Sequence, residues 1–395
     1  MISFKNLDYY LPIWLYLYLV ILIPVELING FFLFHGIGFG SNLISLIKLF
    51  MVLVGISFVL LTSKEVSKYL LISILTFFSL VIFQTFFGLF EIRTMFIFAK
   101  LIFNAIAIYF FYYCIAVSHE YRKIYNVVLF NSLFLILNLM LSYFGLGFDN
   151  YKSGDGEGFG GTGYLYAGNE VGAALLASLA SLLLIIRTNI KLVIFILLYF
   201  ISGLLISSKA SLLGIFSAIF IISYHYNRLL FILTLTSFFI LSPVLWSLFS
   251  NKFELALNRW LFLIDNYGIE YFILGGAKRV DYIVNTIMIN FQNNPIQLII
   301  GSGWSGEAEN NFFDLFEAFG FFGIVIFVFW SFVILRGVGT MIVRSSSSKV
   351  RSSYMIGIMI LFLSLIAGHV LQSSLIAPFL LFVWIGLEGS KINEL

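Results

Sequence analysis

The sequence predicts an all-α polytopic integral membrane protein, and two observations carry that prediction. Of its 395 residues, 61% are hydrophobic and only 10% are charged, where a soluble domain carries about 25% charged residues. Too few polar groups remain to cover a water-facing surface, so lipid is the expected solvent. The apolar residues also fall in runs of roughly 20, the length that crosses a bilayer as a helix. They do not alternate with polar residues as the strands of a membrane barrel would.

Runs of this kind lie at 11–33, 43–62, 69–90, 94–117, 124–146, 166–187, 190–207, 209–226, 229–249, 312–335, 353–369 and 371–388. The count is about twelve transmembrane helices in a single membrane domain, 1–395. The first run is longer than the apolar core of a typical signal peptide, and no small-residue cleavage site follows it, so it is read as a helix of the mature protein. The connections at Ser207-Ser208-Lys209 and His369–Leu371 are tight. Either can be a turn between spans or a break within a re-entrant pair.

Lys and Arg set the orientation. With the N-terminus inside, the inner segments hold thirteen cations, among them Lys64, Lys68, Arg122, Lys123, Arg344 and Arg351. The short outer loops hold three, Arg93, Lys152 and Lys209. An N-in, C-in arrangement follows, with the long segment 251–311 outside. A net charge of +3 gives no reason to expect nucleic acid. The lone cysteine, Cys114, sits in an apolar run and is expected to pack there. The histidines are His35, His119, His225 and His369. No pair has metal-ligand spacing, so no metal and no cofactor is expected.

The unusual residues gather on the outer face. The Gly-rich outer loop 147–165 carries Asp149, Asp155 and Glu157 among Tyr151, Phe159 and Tyr164. It reads either as a flexible surface loop or as a place where carboxylates and rings meet sugar hydroxyls. In the long loop, Phe253, Leu257, Trp260, Leu261 and Ile264 share one helical face. Val280, Ile283, Val284, Ile287, Met288 and Phe291 share another. Both stretches suit helices lying on the membrane surface. Asn310 or Asn311 is placed to cap a helix starting near Phe312, whose free amides would favour an anion. Asp314 and Glu317 lie one turn apart on that helix. Gly320 and Gly323 would let a neighbouring helix pack closely.

Ionisable residues inside membrane spans are costly and are usually kept for function. Glu26, Lys48 and Lys100 are the clearest, and the two lysines are placed about 7–9 Å below the outer helix ends. With Lys209, Lys278 and Arg279 they can converge on one anionic site, or each lysine can snorkel alone to the interface.

Several of these residues also carry a resemblance. Glu309-Asn310, nine residues and Gly320-Phe-Phe-Gly323 is similar to the His-or-acid, Asn, Gly-x-x-Gly pattern of bacterial O-antigen polymerases and O-antigen ligases. Gly163–Gly172 with Asn169, Ser207-Ser208-Lys209-Ala-Ser211, Arg279 upstream of Gly301-Ser-Gly-Trp304, and Ala367-Gly-His369 with Ala377-Pro378 are similar to the same superfamily. Together they cover roughly residues 160–388. Two departures stand out. Glu309 occupies a position that is usually His in the ligases, which favours the polymerase branch. Lys209 replaces the usual Arg, keeping the charge but losing the bidentate fork.

The resemblance implies an inverting, GT-C-like glycosyltransferase of the bacterial inner membrane, working at the periplasmic face. Its substrates would be undecaprenyl-diphosphate-linked oligosaccharide repeats, held in membrane lipid. A polysaccharide chain-length regulator is a candidate further partner. A growing glycan would pass from its lipid diphosphate to a hydroxyl of a lipid-linked repeat unit. Glu309 would be the base, and Arg279 with Lys209 and Lys278 would hold the diphosphate. Asn169 and Asn310 would position substrate, with Lys48 and Lys100 as further cations. The alternatives are an O-antigen ligase acting on lipid A core and, in another class, a flippase or transporter of lipid-linked saccharide.

Overall fold

A computed structural model describes residues 4–152, 158–186, 188–226, 292–305, 307, 310–344, 347–366 and 368–383, with 281–284 and scattered positions over 232–269. The described residues are almost entirely helical. In chain order the helices are α1 (Phe4–Val20), α2 (Leu22–Phe34), α3 (Gly38–Thr62), α4 (Lys64–Phe86), α5 (Ile92–Tyr112), α6 (Tyr121–Tyr143), α7 (Gly168–Ile185), α8 (Asn189–Ile206) and α9 (Lys209–Tyr226). After the long loop come α10 (Ile296–Ile300), α11 (Asn311–Phe319), α12 (Phe321–Arg344) and α13 (Ser348–Ile366). A 3₁₀ helix follows at Ser374–Phe379.

Six of these helices are long and apolar enough to cross a membrane, or seven spans if α1 and α2 count as one bent pair. The chain is therefore a multi-pass membrane protein. Its outermost helices face lipid. On α4, Leu75, Ile82 and Phe86 are 65%, 67% and 82% exposed, a cost of about 25 cal/mol per Å² in water that vanishes in hydrocarbon. α7 is the opposite case: nearly every residue from Val171 to Leu183 is buried. It packs against α6, α8, α9, α13 and the 3₁₀ helix. Cys114 is buried in the π-helical turn Tyr113–Val117 that ends α5.

Five expectations change. The run 11–33 is two helices, bent by 55° between Val20 and Leu22. Pro24 explains the position: it offers no N–H to the Val20 carbonyl and its ring crowds that oxygen. Asn131 of α6 takes up the freed groups, accepting from Ile23 N at 2.8 Å and donating to Leu19 O at 2.7 Å. The run 312–335 is likewise broken, with α11 ending at Gly320, whose φ is 58°. Gly323 does not serve a neighbouring helix as expected. A Cβ there would lie 1.8 Å from Leu315 O, so the glycine lets α12 fold back against its own predecessor.

The run 371–388 is not a helix from its start. Residues 369–372 form turns, 374–379 a 3₁₀ helix, and α-helix resumes only at 381–383. The described part of this run, up to Val383, is apolar because protein surrounds it. Finally, the loop 147–165 is built into the fold. Phe148–Lys152 and Gly158–Gly163 pair as antiparallel strands, and Asn138 of α6 binds them through Thr162 O at 2.7 Å and Tyr164 N at 2.8 Å. Its glycines approach protein rather than leave space for a ligand: a Cβ on Gly161 would meet Ser142, and one on Gly160 the Ile206 carbonyl. Within the loop helices, the positions described between 254 and 267 are helical. The second amphipathic stretch is described only at 281–284, also helical.

Candidate functional site

One end of the bundle collects the polar side chains. It is where α4, α6 and α13 finish and α5 and α7 begin. α11 starts there, capped by Asn310, whose Oδ1 accepts from Phe312 N and Phe313 N at 3.0 and 3.3 Å. The Asn310 amide also donates to Leu365 O at the end of α13. Asn311 spans the gap that follows α13: it donates to Ser364 O and accepts from Leu371 N, both at 3.2 Å. Asn104 of α5 donates to Leu371 O and Ser373 O at 3.0 and 3.2 Å. These amides hold residues 370–373 as buried, non-helical backbone, which a membrane protein tolerates only inside protein or along a cavity.

Ionisable groups from five helices reach this stretch or its immediate neighbours. Asp314 of α11 is fully buried, and its Oδ2 lies 2.9 Å from His369 Nδ1. The contact is an ion-pair approach without an aligned hydrogen bond. Asp314 Oδ1 accepts from Trp304 Nε1 at 3.2 Å, and the Trp304 ring meets His369 edge-on at 5.4 Å. Glu170 of α7 accepts from Ser373 Oγ. Glu26 of α2 accepts from Ser374 Oγ at 3.0 Å and from Lys48 Nζ of α3 at 2.5 Å. Lys100 of α5 lies near enough to His369 to oppose its protonation. Burial favours neutral His369, but Asp314, aided by Glu170, outweighs both effects and raises its pKa above the ordinary value. His369 also holds a φ of 49°, a left-handed conformation that non-glycine residues adopt at a cost.

A second cluster joins the long loop to α11. Glu317 accepts from Tyr282 Oη at 2.5 Å and from Ser305 Oγ at 3.2 Å. Burial lifts the Glu317 carboxyl to about 7; the Tyr282 and Ser305 hydroxyls oppose the rise, and the Asp314 charge adds to it. Gly301 and Gly320, with φ of 82° and 58°, bring the loop backbone against the end of α11. Gln84 of α4 closes this junction by donating to Ile300 O and Ala318 O at 2.5 and 2.7 Å.

Glu309, Lys278 and Arg279 lie outside the described residues; Glu309 immediately precedes the capping Asn310. Lys209 opens α9 after Ser207, whose φ is 54°; its side chain is outside the described set. Asn169 is the second residue of α7, beside Glu170. Lys48 and Lys100 lie deeper than the sequence placed them, because α3 and α5 start earlier than their apolar runs. Counting from Gly38 and Ile92 they sit about 15 and 12 Å along their helices. Sequence reasoning missed Glu170, Asp314 and His369 as members of one site. The signal available for them was the rarity of ionisable residues in such apolar surroundings.

Among the described residues, no group of three His, Cys, Asp or Glu side chains is arranged to hold a metal ion. No protein-family model, curated protein or solved structure matches the chain.

Proposed function

We propose that the protein is a membrane-embedded glycosyltransferase that polymerises lipid-diphosphate-linked saccharide repeats, as the O-antigen polymerases it resembles do. The observation that carries this reading is the largely buried turn at 369–374, ringed by Glu26, Glu170, Asp314, Lys48 and Lys100 with His369 within it. Sugar transfer from a lipid diphosphate needs groups that take a hydroxyl proton and groups that balance a leaving diphosphate. This ring supplies both, directly after the segment that carries Glu309. In this reading Glu309 and Arg279 act on the reacting groups, Lys209 and Lys278 assist at the diphosphate, and the site faces the periplasm from the inner membrane.

The test uses membranes with normal protein levels and reads glycan chain length. Glu309→Gln and Arg279→Ala are each expected to abolish long chains, leaving single repeats. Wild-type polymer from both variants would sink the assignment. A ligase would instead leave full-length chains on the carrier lipid when deleted.

A transporter of lipid-linked saccharide is the second reading, favoured by the breaks at Ile21 and Gly320, because broken helices line transporter sites. Purified protein in vesicles separates the two. Transfer between lipid-linked repeats supplied on one side supports the polymerase; movement of an unextended repeat across the bilayer supports the transporter.

A further inference from the structure

We infer that His369 Nε2 accepts the proton of the attacking hydroxyl, with Asp314 and Trp304 as the residues that position the ring. The inference rests on the transfer reaction proposed above and assigns its proton to His369 instead of Glu309, the base that the resemblance implies. The Asp314 carboxylate is fully buried and divided between two partners, Trp304 Nε1 on one oxygen and His369 Nδ1 on the other. The negative charge facing Nδ1 favours the proton on that nitrogen, although the approach is not an aligned hydrogen bond, and leaves Nε2 as the basic nitrogen. Nε2 makes no hydrogen bond among the described residues, and the side chain keeps 18% of its surface open. The left-handed backbone at residue 369 is a cost the fold bears where glycine would bear none. Asn311 and Asn104 hold the adjoining Leu371 from both sides.

In the step, the acceptor hydroxyl oxygen bonds to the anomeric carbon of the donor sugar. The bond from that carbon to the diphosphate oxygen breaks, and its electron pair leaves with the diphosphate. The hydroxyl proton passes to His369 Nε2. The product imidazolium faces Asp314 and Glu170, which favour it, and Lys100, which does not.

The experiment is the pH profile of polymerisation by purified protein given lipid-linked repeats, with folding checked by thermal unfolding. Activity falls on the acid side as the imidazole protonates. Asp314→Asn removes the charge that favours the imidazolium, so this acid limb should move to lower pH. Trp304→Phe should lower the rate with a smaller shift. His369→Gln should cost about 100-fold or more in kcat. Where His369→Gln fails to fold, the Asp314→Asn profile decides the matter. An acid limb that stays in place in folded Asp314→Asn, or a wild-type rate from His369→Gln, overturns the inference while wild-type polymerisation still supports the reaction. A wild-type protein that transfers no sugar overturns both.

Discussion

Two breaks in the helices of this bundle are handled differently. At Ile21 the chain bends and a single carboxamide, Asn131, serves the freed amide and carbonyl. At 368–373 the chain has left α13, and Asn104 and Asn311 do the same backbone work. The second break then gathers Asp314, His369, Glu170 and the Glu26–Lys48 pair as well. Amides suffice where the task is to replace lost backbone hydrogen bonds. Charged groups are not needed for that task, and desolvating them is costly. On the proposed function, their concentration at only one of the two breaks makes that one the chemical break and the other the architectural one.

The comparison is sharpest in stability against activity. Asn131→Leu leaves the Ile23 amide and the Leu19 carbonyl without their partner in a buried position. An unpaired buried polar group costs about 1–3 kcal/mol, so this variant should unfold at a clearly lower temperature in detergent. Activity per folded molecule should stay at the wild-type level, unlike that of the His369 and Asp314 variants. A loss of turnover without a loss of stability in Asn131→Leu would erase the distinction between the breaks.

The two breaks also differ in how far the sequence announces them. Hydropathy locates α6 and α7 to within a few residues, because apolar length reports directly on the surrounding medium. It is blind to backbone conformation, which is why 11–33 and 371–388 read as continuous helices. Pro24 was the local signal for the first break. For the second, the tight connection His369–Leu371 marked a turn or a re-entrant break, and Pro378 with the polar run Gln372-Ser373-Ser374 was a further hint; the non-helical course beyond it was not legible. Asn310 could be recognised as a cap from its position, and the structure has it capping α11. The meeting of Asp314 with His369 was not legible, since 55 residues and the whole of α12 and α13 separate them. Burial alone cannot pair them from sequence. Glu26 and Lys48 could be recognised as unusual for the same reason that left them unpaired on paper: each is a charge in an apolar run, and only the fold shows that one answers the other.

That pair gives an intermediate effect. Lys48→Met leaves Glu26 buried beside Ser374 without its cation, and Glu26→Gln leaves Lys48 without its anion. Lys48 keeps 28% of its side chain exposed, so water softens the loss and the shift should be smaller than that of Asn131→Leu. The double variant should recover part of either single loss, since removing both charges removes the unpaired one. Strictly additive unfolding shifts would mean that the 2.5 Å contact contributes no coupling. The pair would then stand with the site's chemistry rather than with the packing of α2 on α3.

The smallest effect tests the amide that fits neither group. Gln372 lies between His369 and Ser373, is 1% exposed, and has neither Nε2 nor Oε1 hydrogen-bonded among the described residues. Unlike Asn104 and Asn311, it satisfies no backbone group, so a purely architectural role predicts that an apolar side chain of similar size is better. Gln372→Leu should then leave the unfolding temperature unchanged or raise it slightly, because a buried amide without partners is a net cost. Turnover decides what the amide is for. If the variant is as stable as wild type yet slower, with KM raised more than kcat is lowered, the amide binds substrate and belongs with His369. If stability rises and turnover is unchanged, Gln372 is a polar residue the fold merely tolerates, and the chemical side of the comparison narrows to the ionisable groups.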